Sequence, residues 1–100
     1  MPPDSAFRAI ADPRRREILR LVRDRELTAG EIASHFEISQ PGVSQHLRVL
    51  RESNLLVERR DGTRRLYRAN LEGLAELVEH LGWMWDQGLD RLKQAVEEDR

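Results

Sequence analysis

Two helical patterns in this chain are separated by only three residues, Glu37-Ile38-Ser39, and that spacing constrains the fold more than any other feature. Upstream, Thr28-Ala29-Gly30-Glu31 has the Thr-x-x-Glu form of a capping box and opens a helix with Ala29, Ile32, Ala33 and Phe36 as its apolar positions. Downstream, Ser39 is suited to cap a second helix, and Pro41 then falls in its first turn, where a missing N–H costs nothing because that donor has no helical partner. Pro41-Gly42 therefore begins a helix. Gly42 weakens it by up to about 1 kcal/mol relative to alanine, which calls for a reason outside helix formation. Val43, Leu47 and Leu50 share one face of this second helix, Pro41, Gln45, Arg48 and Glu52 lie opposite, and Ser44 and Arg51 occupy a flank.

The rest of the chain divides around this pair. Asp4 to Ala11 is a short helix candidate with Phe7 and Ile10 buried, and Asp12-Pro13 starts another, with Asp as cap and Pro in the first helical position. That helix is expected to reach about Asp24 and to bury Ile18, Leu21 and Val22. Leu55 to Arg60 and Arg64 to Ala69 flank Asp61-Gly62-Thr63, a hairpin signal, with Val57 and Tyr67 expected to anchor the hairpin to the body. Asn70 is a cap candidate for a long helix that carries Leu74, Val78, Leu81, Trp85, Leu92 and Val96 on one side. Gly82 and Gly88 leave open whether that helix is continuous. The predicted order is three helices, a fourth after a short turn, a hairpin and a long terminal helix.

Bulk properties exclude several classes. One hundred residues suit one domain with a modest core. No run approaches the roughly 18 apolar residues of a membrane span, and MPPDSAF has neither the basic nor the apolar region of a signal peptide. Cysteine is absent, which removes disulfides, thiolate metal sites and a cysteine nucleophile and suits a cytoplasmic chain. No Gly-rich phosphate loop or histidine–carboxylate pairing points to an enzyme. The net charge of −1 hides an asymmetry: residues 1–70 carry +4 and residues 71–100 carry −5. A basic body with an acidic final element suggests separate tasks for the two.

A helix, a three-residue turn and a second helix form the helix-turn-helix plan, whose second helix lies in the DNA major groove. Its outward N-terminal residues Gln40, Ser44 and Gln45 can hydrogen-bond base edges, glutamine being suited to adenine, while Arg48 suits guanine or a phosphate. Ser39, Pro41 and Gly42 belong to the same approach, since the helix N-terminus offers free N–H groups to a phosphate and a glycine lets the backbone come close. His46 borders the core face and orients the helix or lies near DNA. Two packed helices with a polar outer face are common in small proteins, so the pair alone does not decide. The hairpin decides: Glu58 to Arg68 holds Arg59, Arg60, Arg64, Arg65 and Arg68 against Glu58 and Asp61, a net of +3 in eleven residues. Guanidiniums on a projecting ribbon neutralise phosphates, and a basic hairpin beside a helix-turn-helix makes a winged helix.

With these elements in place, residues 7–70 resemble the ArsR/SmtB family of winged-helix repressors. The marks are Ala11-Asp12-Pro13 with its arginine cluster, Ser39-Gln40-Pro41, Val43-Ser44-Gln45-His46-Leu47 and the Arg-Asp-Gly wing. The resemblance implies a homodimer that binds an operator and represses transcription until a signal arrives. Metal-sensing members often carry Cys-x-Cys after Glu-Leu; here Glu26-Leu27 is followed by Thr28 and Gly30 at those positions. A second family site on the last helix would have Glu76, Glu79 and a single His80, short of what zinc ordinarily takes. The chain is most similar to the cysteine-less autorepressor branch, with which it shares the ending from Trp85 to Gln94. The expected partners are double-stranded operator DNA and a second copy, with no cofactor, no metal and no membrane, and no inducer is legible.

The expected organisation is a single winged-helix domain over 1–100, mainly α, with a helix-turn-helix at about 28–53, a wing at about 55–69 and a dimerisation helix at about 71–97. Phe7, Ile10, Leu74, Val78, Leu81, Trp85 and Leu92 would form the twofold interface. Trp83, Met84 and Trp85 suit a dimer core better than a ligand pocket. Two alternatives stand beside the repressor: a metal- or small-ligand-responsive sensor of the same family, and a winged helix used only for protein contacts.

Overall fold

A computed structural model describes residues 3–98 of the chain, with side chains for all of these except residues 3, 84–87, 89 and 92. The elements run α1 (Pro3–Ala11), α2 (Pro13–Leu21), α3 (Ala29–Ser34), α4 (Gln40–Glu52), β1 (Leu56–Asp61), β2 (Arg64–Ala69) and α5 (Leu71–Glu98). The architecture is mainly helical with one antiparallel hairpin, the winged helix-turn-helix expected from the sequence. Helices as short as α1 to α4 are marginal in water by themselves, so packing must hold them. Ile18, Val22, Ile32, Val43, Leu50 and Leu55 are fully buried in one core to which α1, β2 and the start of α5 also contribute.

Capping explains where the helices begin. Asp12 accepts from the Arg14 N–H at 2.8 Å, Thr28 and Glu31 form a complete capping box, and Ser39 Oγ accepts from the Gly42 N–H at 3.2 Å. The ends are less regular than expected. The second helix stops at Leu21 rather than near Asp24, with Val22 as its buried C-cap, and α3 stops at Ser34, leaving Phe36 in the turn, half-buried. Leu19 joins the core, unforeseen, while Leu21 is only partly buried.

The junction between α1 and α2 is held by arginines. The last four carbonyls of a helix have no partner within it. Here Arg15 donates to the carbonyls of Arg8 and Ala9 at 3.4 and 3.3 Å, and Arg16 to those of Ile10 and Ala11 at 2.7 and 3.2 Å. Cations opening α2 oppose its own dipole, but at the C-terminus of α1 they are favourably placed.

Helix α4 ends in a Schellman motif. Asn54 adopts φ 63°, its N–H donates to the Arg51 carbonyl at 3.1 Å, and the Leu55 N–H donates to the Leu50 carbonyl at 3.0 Å. Leu50 and Leu55, which flank the motif, are both fully buried. The Asn54 carbonyl then meets α5: a Cβ on Gly73 would lie 1.9 Å from it. Glycine is therefore obligatory at 73. Asn70, expected as the cap of α5, instead turns its side-chain amide back to the Asn54 carbonyl at 2.9 Å, because that carbonyl lies beside the first turn of α5.

The hairpin pairs Leu56 with Ala69 through Asp61 with Arg64, so Asp61 belongs to the ladder and only Gly62-Thr63 is the loop. Gly62 at φ 64° is the one left-handed residue of that loop, as a type II′ turn requires. Tyr67 fastens the hairpin as expected, exchanging backbone hydrogen bonds with Leu27 at 2.8 and 3.1 Å. Val57 does not anchor it; it is 46 % exposed, and Leu66 is buried instead.

Helix α5 is a single 28-residue helix, uninterrupted at Gly82 and Gly88. Among the described residues, only its start packs on the body, through buried Leu77, which the periodicity did not single out, and half-buried Leu74. Val78 and Leu81 are left exposed, as are Trp83 and Val96. The helix projects far enough to make the molecule 64 Å long and 26 Å wide.

Candidate nucleic-acid interface

The Ser39 cap and the burial of Val43, Leu47 and Leu50 fix the rotation of α4, and that rotation turns Gln40, Pro41, Ser44, Gln45 and Arg48 outward. Gln40, Ser44 and Gln45 make no side-chain hydrogen bond among the described residues, although other small polar groups of the body are engaged: Ser53 Oγ donates to the Ser5 carbonyl at 3.3 Å and Ser34 Oγ to the Glu31 carbonyl at 2.6 Å. Arg48 is exposed and reaches Glu52 one turn on at 3.0 Å, a pair of the kind contributing under about 1 kcal/mol. A Cβ on Gly42 would meet only Ser39 Oγ, at 3.4 Å. The fold therefore has room for alanine there and gives glycine no structural reason.

His46 is set apart from this outer row. It is half-buried, and its Nδ1 accepts from Arg15 Nε at 3.1 Å. The nearby Asp12 carboxyl is held below its ordinary range, first by the Arg14 N–H and then by the positive field of Arg15.

The wing arginines, equivalent in sequence, are divided by the strand alternation. Arg59 forms a two-pronged pair with Glu26, at 2.8 and 3.0 Å, which lowers the Glu26 carboxyl below its ordinary range and raises the Arg59 guanidinium. This arginine, expected with the DNA contacts, fastens the wing to the loop before α3. Arg64 touches Glu31 at 3.5 Å, and Arg65 touches Glu58 at 3.5 Å, a carboxylate that Arg51 already holds at 2.5 Å. Arg60 has no ion pair among the described residues and stands directly across the ladder from Arg65. Like charges facing each other across strands are destabilising.

The start of α4 and the tip of the wing share a groove of about 430 Å³, lined by Gln40 and Ser44 on one side, Thr63, Arg64 and Arg65 on the other, and Thr28 to Gly30 at its floor. Sequence reasoning did not find Thr28, Gly30 or Thr63; no local pattern brings the loop before α3 to the tip of a hairpin formed much later in the chain. Thr28 is occupied in the capping box, which also holds the Glu31 carboxyl below its ordinary range. His80, on α5, donates from Nδ1 to the backbone carbonyl of Glu76 at 2.8 Å. Of the expected dimer residues, Phe7, Ile10 and Leu74 are half-buried and Val78 and Leu81 exposed, while the side chains of Trp85 and Leu92, and of Met84 in the aromatic cluster, lie outside the described residues.

Residues 12–57 match the family model described as bacterial regulatory protein, arsR family. The chain is 38 % identical over 97 residues to the HTH-type transcriptional regulator Rv2034 of Mycobacterium tuberculosis, covering 97 % of this chain and 91 % of that one. It is 38 % identical over 81 residues to the transcriptional repressor SdpR of Bacillus subtilis, covering 81 % and 87 %. Among solved structures, an ArsR-like transcriptional regulator from Rhodococcus sp. RHA1 superposes with a TM-score of 0.74 at 28 % identity, over 92 % of this chain and 90 % of that one. The homodimeric winged helix-turn-helix DNA-binding domain of a Mycobacterium bovis protein does so with a TM-score of 0.68 at 30 % identity, over 84 % and 78 %.

Proposed function

The chain belongs to the arsR family of bacterial regulatory proteins, transcriptional regulators rather than enzymes, and on that premise we propose that it is a homodimeric repressor reading a pseudo-palindromic operator. The observation that carries the reading is the placement of Gln40, Ser44 and Gln45: polar, exposed and unengaged among the described residues, on a helix whose rotation the core has fixed, with a half-neutralised basic wing across the groove. Gln40, Ser44 and Gln45 contact base edges. The first turn, Ser39 to Gly42, takes a phosphate, with Gly42 allowing close approach. Arg60, Arg64 and Arg65 hold the flanking phosphates, and the repulsion between Arg60 and Arg65 is relieved when an anion arrives. Arg48 reaches DNA by leaving Glu52; Arg59 would have to leave Glu26, so its part is to hold the wing.

The exposed apolar residues of α5, with Phe7 and Ile10 of α1, are covered by a second copy. Twofold symmetry then spaces the two reading helices by about one DNA turn, roughly 34–36 Å. Negative autoregulation, in which the operator lies by the protein's own promoter, is the mode that fits a member without thiolate ligands. Binding to a labelled duplex measured at increasing salt tests the DNA reading. Affinity should fall steeply and linearly on logarithmic axes; binding that ignores salt, or no binding at low salt, would return the protein-contact alternative to first place.

A further inference from the structure

We propose that Arg15 is the positioning residue of the reading helix, tying the last turn of α1 to His46 of α4 through one guanidinium. The inference rests on the DNA-reading function above and adds a coupling to it. Arg15 donates from Nε to His46 Nδ1 at 3.1 Å and from its Nη1 to the Ala9 and Arg8 carbonyls at 3.3 and 3.4 Å. A rigid planar fork can serve acceptors on two helices at once, and lysine, a point charge on a flexible stem, cannot. His46 lies between Gln45 and the buried Leu47, so a bond to its ring adds a tie from α1 to the core packing that already orients Gln45 and Ser44 toward the groove. On the other side, the residues just before the clamped carbonyls are Phe7 and Ala6, where α1 packs on the core. A shift of α1 is thereby transmitted to α4.

The pair has a built-in directionality. Nδ1 must be unprotonated to accept from Arg15, which places the ring proton of neutral His46 on Nε2. A second proton sets an N–H against an N–H and a cation against a cation, and the tie is lost. The other charges on elements packed against α4 do not substitute for it. Asp12 is engaged in capping α2, where it accepts from the Arg14 N–H; Glu31 is held by Thr28 and Arg64, and Glu58 by Arg51 and Arg65. Asp4 and Arg8 of α1 make no side-chain bond to the ring among the described residues. Acidification therefore loosens the reading helix. A histidine that merely touched DNA would do the opposite, because its added charge would strengthen phosphate attraction.

The test uses the full chain and a duplex selected by it from a random pool. Affinity is measured between about pH 8 and about pH 5.5. Wild type should lose about tenfold or more on acidification, with its dimer intact by light scattering. His46→Asn, whose Oδ1 occupies the place of Nδ1 and does not titrate, should bind within about threefold of wild type at pH 8 and show a flat profile. Arg15→Lys should bind about tenfold more weakly at pH 8, with its dimer likewise intact by light scattering. Affinity that rises on acidification, or a His46→Asn profile that follows wild type, would overturn the coupling while leaving DNA reading in place. A pool that yields no bound duplex at pH 8 would overturn the function on which it rests.

Discussion

The first turn of α4 and the junction after its last turn are both built of small polar residues and glycine, but their geometry leaves them opposite freedoms. At the start, Gly42 has room for a methyl group and Gln40, Ser44 and Gln45 have no partner among the described residues. At the end, Asn54 holds a left-handed backbone, its carbonyl takes the Asn70 amide, and Gly73 is pressed against it with no space for a Cβ. Where the fold leaves nothing free, it accounts for the residue. Where it leaves slack, as at Gly42, the fold does not account for the residue.

Four variants and a titration sharpen that contrast. The largest effect belongs to the locked end: Gly73→Ala should cost about 3 kcal/mol or more of stability, read by urea unfolding at fixed protein concentration, since dimers unfold by mass action. A loss under about 1 kcal/mol would mean that the junction can yield and the contrast is false. At the free end, Gln45→Ala should leave unfolding unchanged and cost about 1–3 kcal/mol on the selected duplex, relaxing preference at one base pair per half-site. Equal weakening on every sequence would move the reading face elsewhere. Arg60→Ala with Arg65→Ala should weaken binding to all sequences and reduce the salt slope by about 0.9 for each phosphate no longer neutralised, and an unchanged slope would take the wing off the phosphates.

The smaller effects divide stability from binding. Gly42→Ala should stabilise the protein by up to about 1 kcal/mol while weakening DNA binding; a gain in both would remove the close-approach argument. Asp12, Glu26 and Glu31 have carboxyls held below their ordinary values in the folded state. Each therefore contributes stability above its unfolded value that is lost as pH falls through the folded one, so unfolding should become easier below about pH 5. Glu31 is exposed and Asp12 and Glu26 are only half-buried, so the effect should be modest and reduced by salt.

What was legible in the sequence was mostly local. Asp12-Pro13, Thr28-x-x-Glu31 and Ser39-x-Pro41 announce helix starts because capping bonds span two or three residues. The outer face of α4 followed from a single period of 3.6 anchored by Val43, Leu47 and Leu50. The illegible parts depend on distant partners. Arg59 and Arg60 differ only in which side of a strand they occupy, and Glu26, which claims Arg59, lies 33 residues away. Gly73 is fixed by Asn54 rather than by its own helix. Helix α5 carries Leu74, Leu77, Val78 and Leu81 on one apolar arc, and periodicity cannot say how far along that arc the body reaches before Val78 and Leu81 are left exposed. The arginines after Pro13 stood out as a family mark, but their work on the carbonyls of α1 needed coordinates to see.

Whether paired α4 helices read DNA with their outer faces is tested most directly by sequencing duplexes that the intact protein selects from a random pool. Two inverted half-sites are expected, centred about 10–10.5 base pairs apart or a multiple of that, with the preference inside each half-site lost base by base on Gln40→Ala, Ser44→Ala and Gln45→Ala. A selected sequence without twofold symmetry, or one unchanged by all three substitutions, would contradict it.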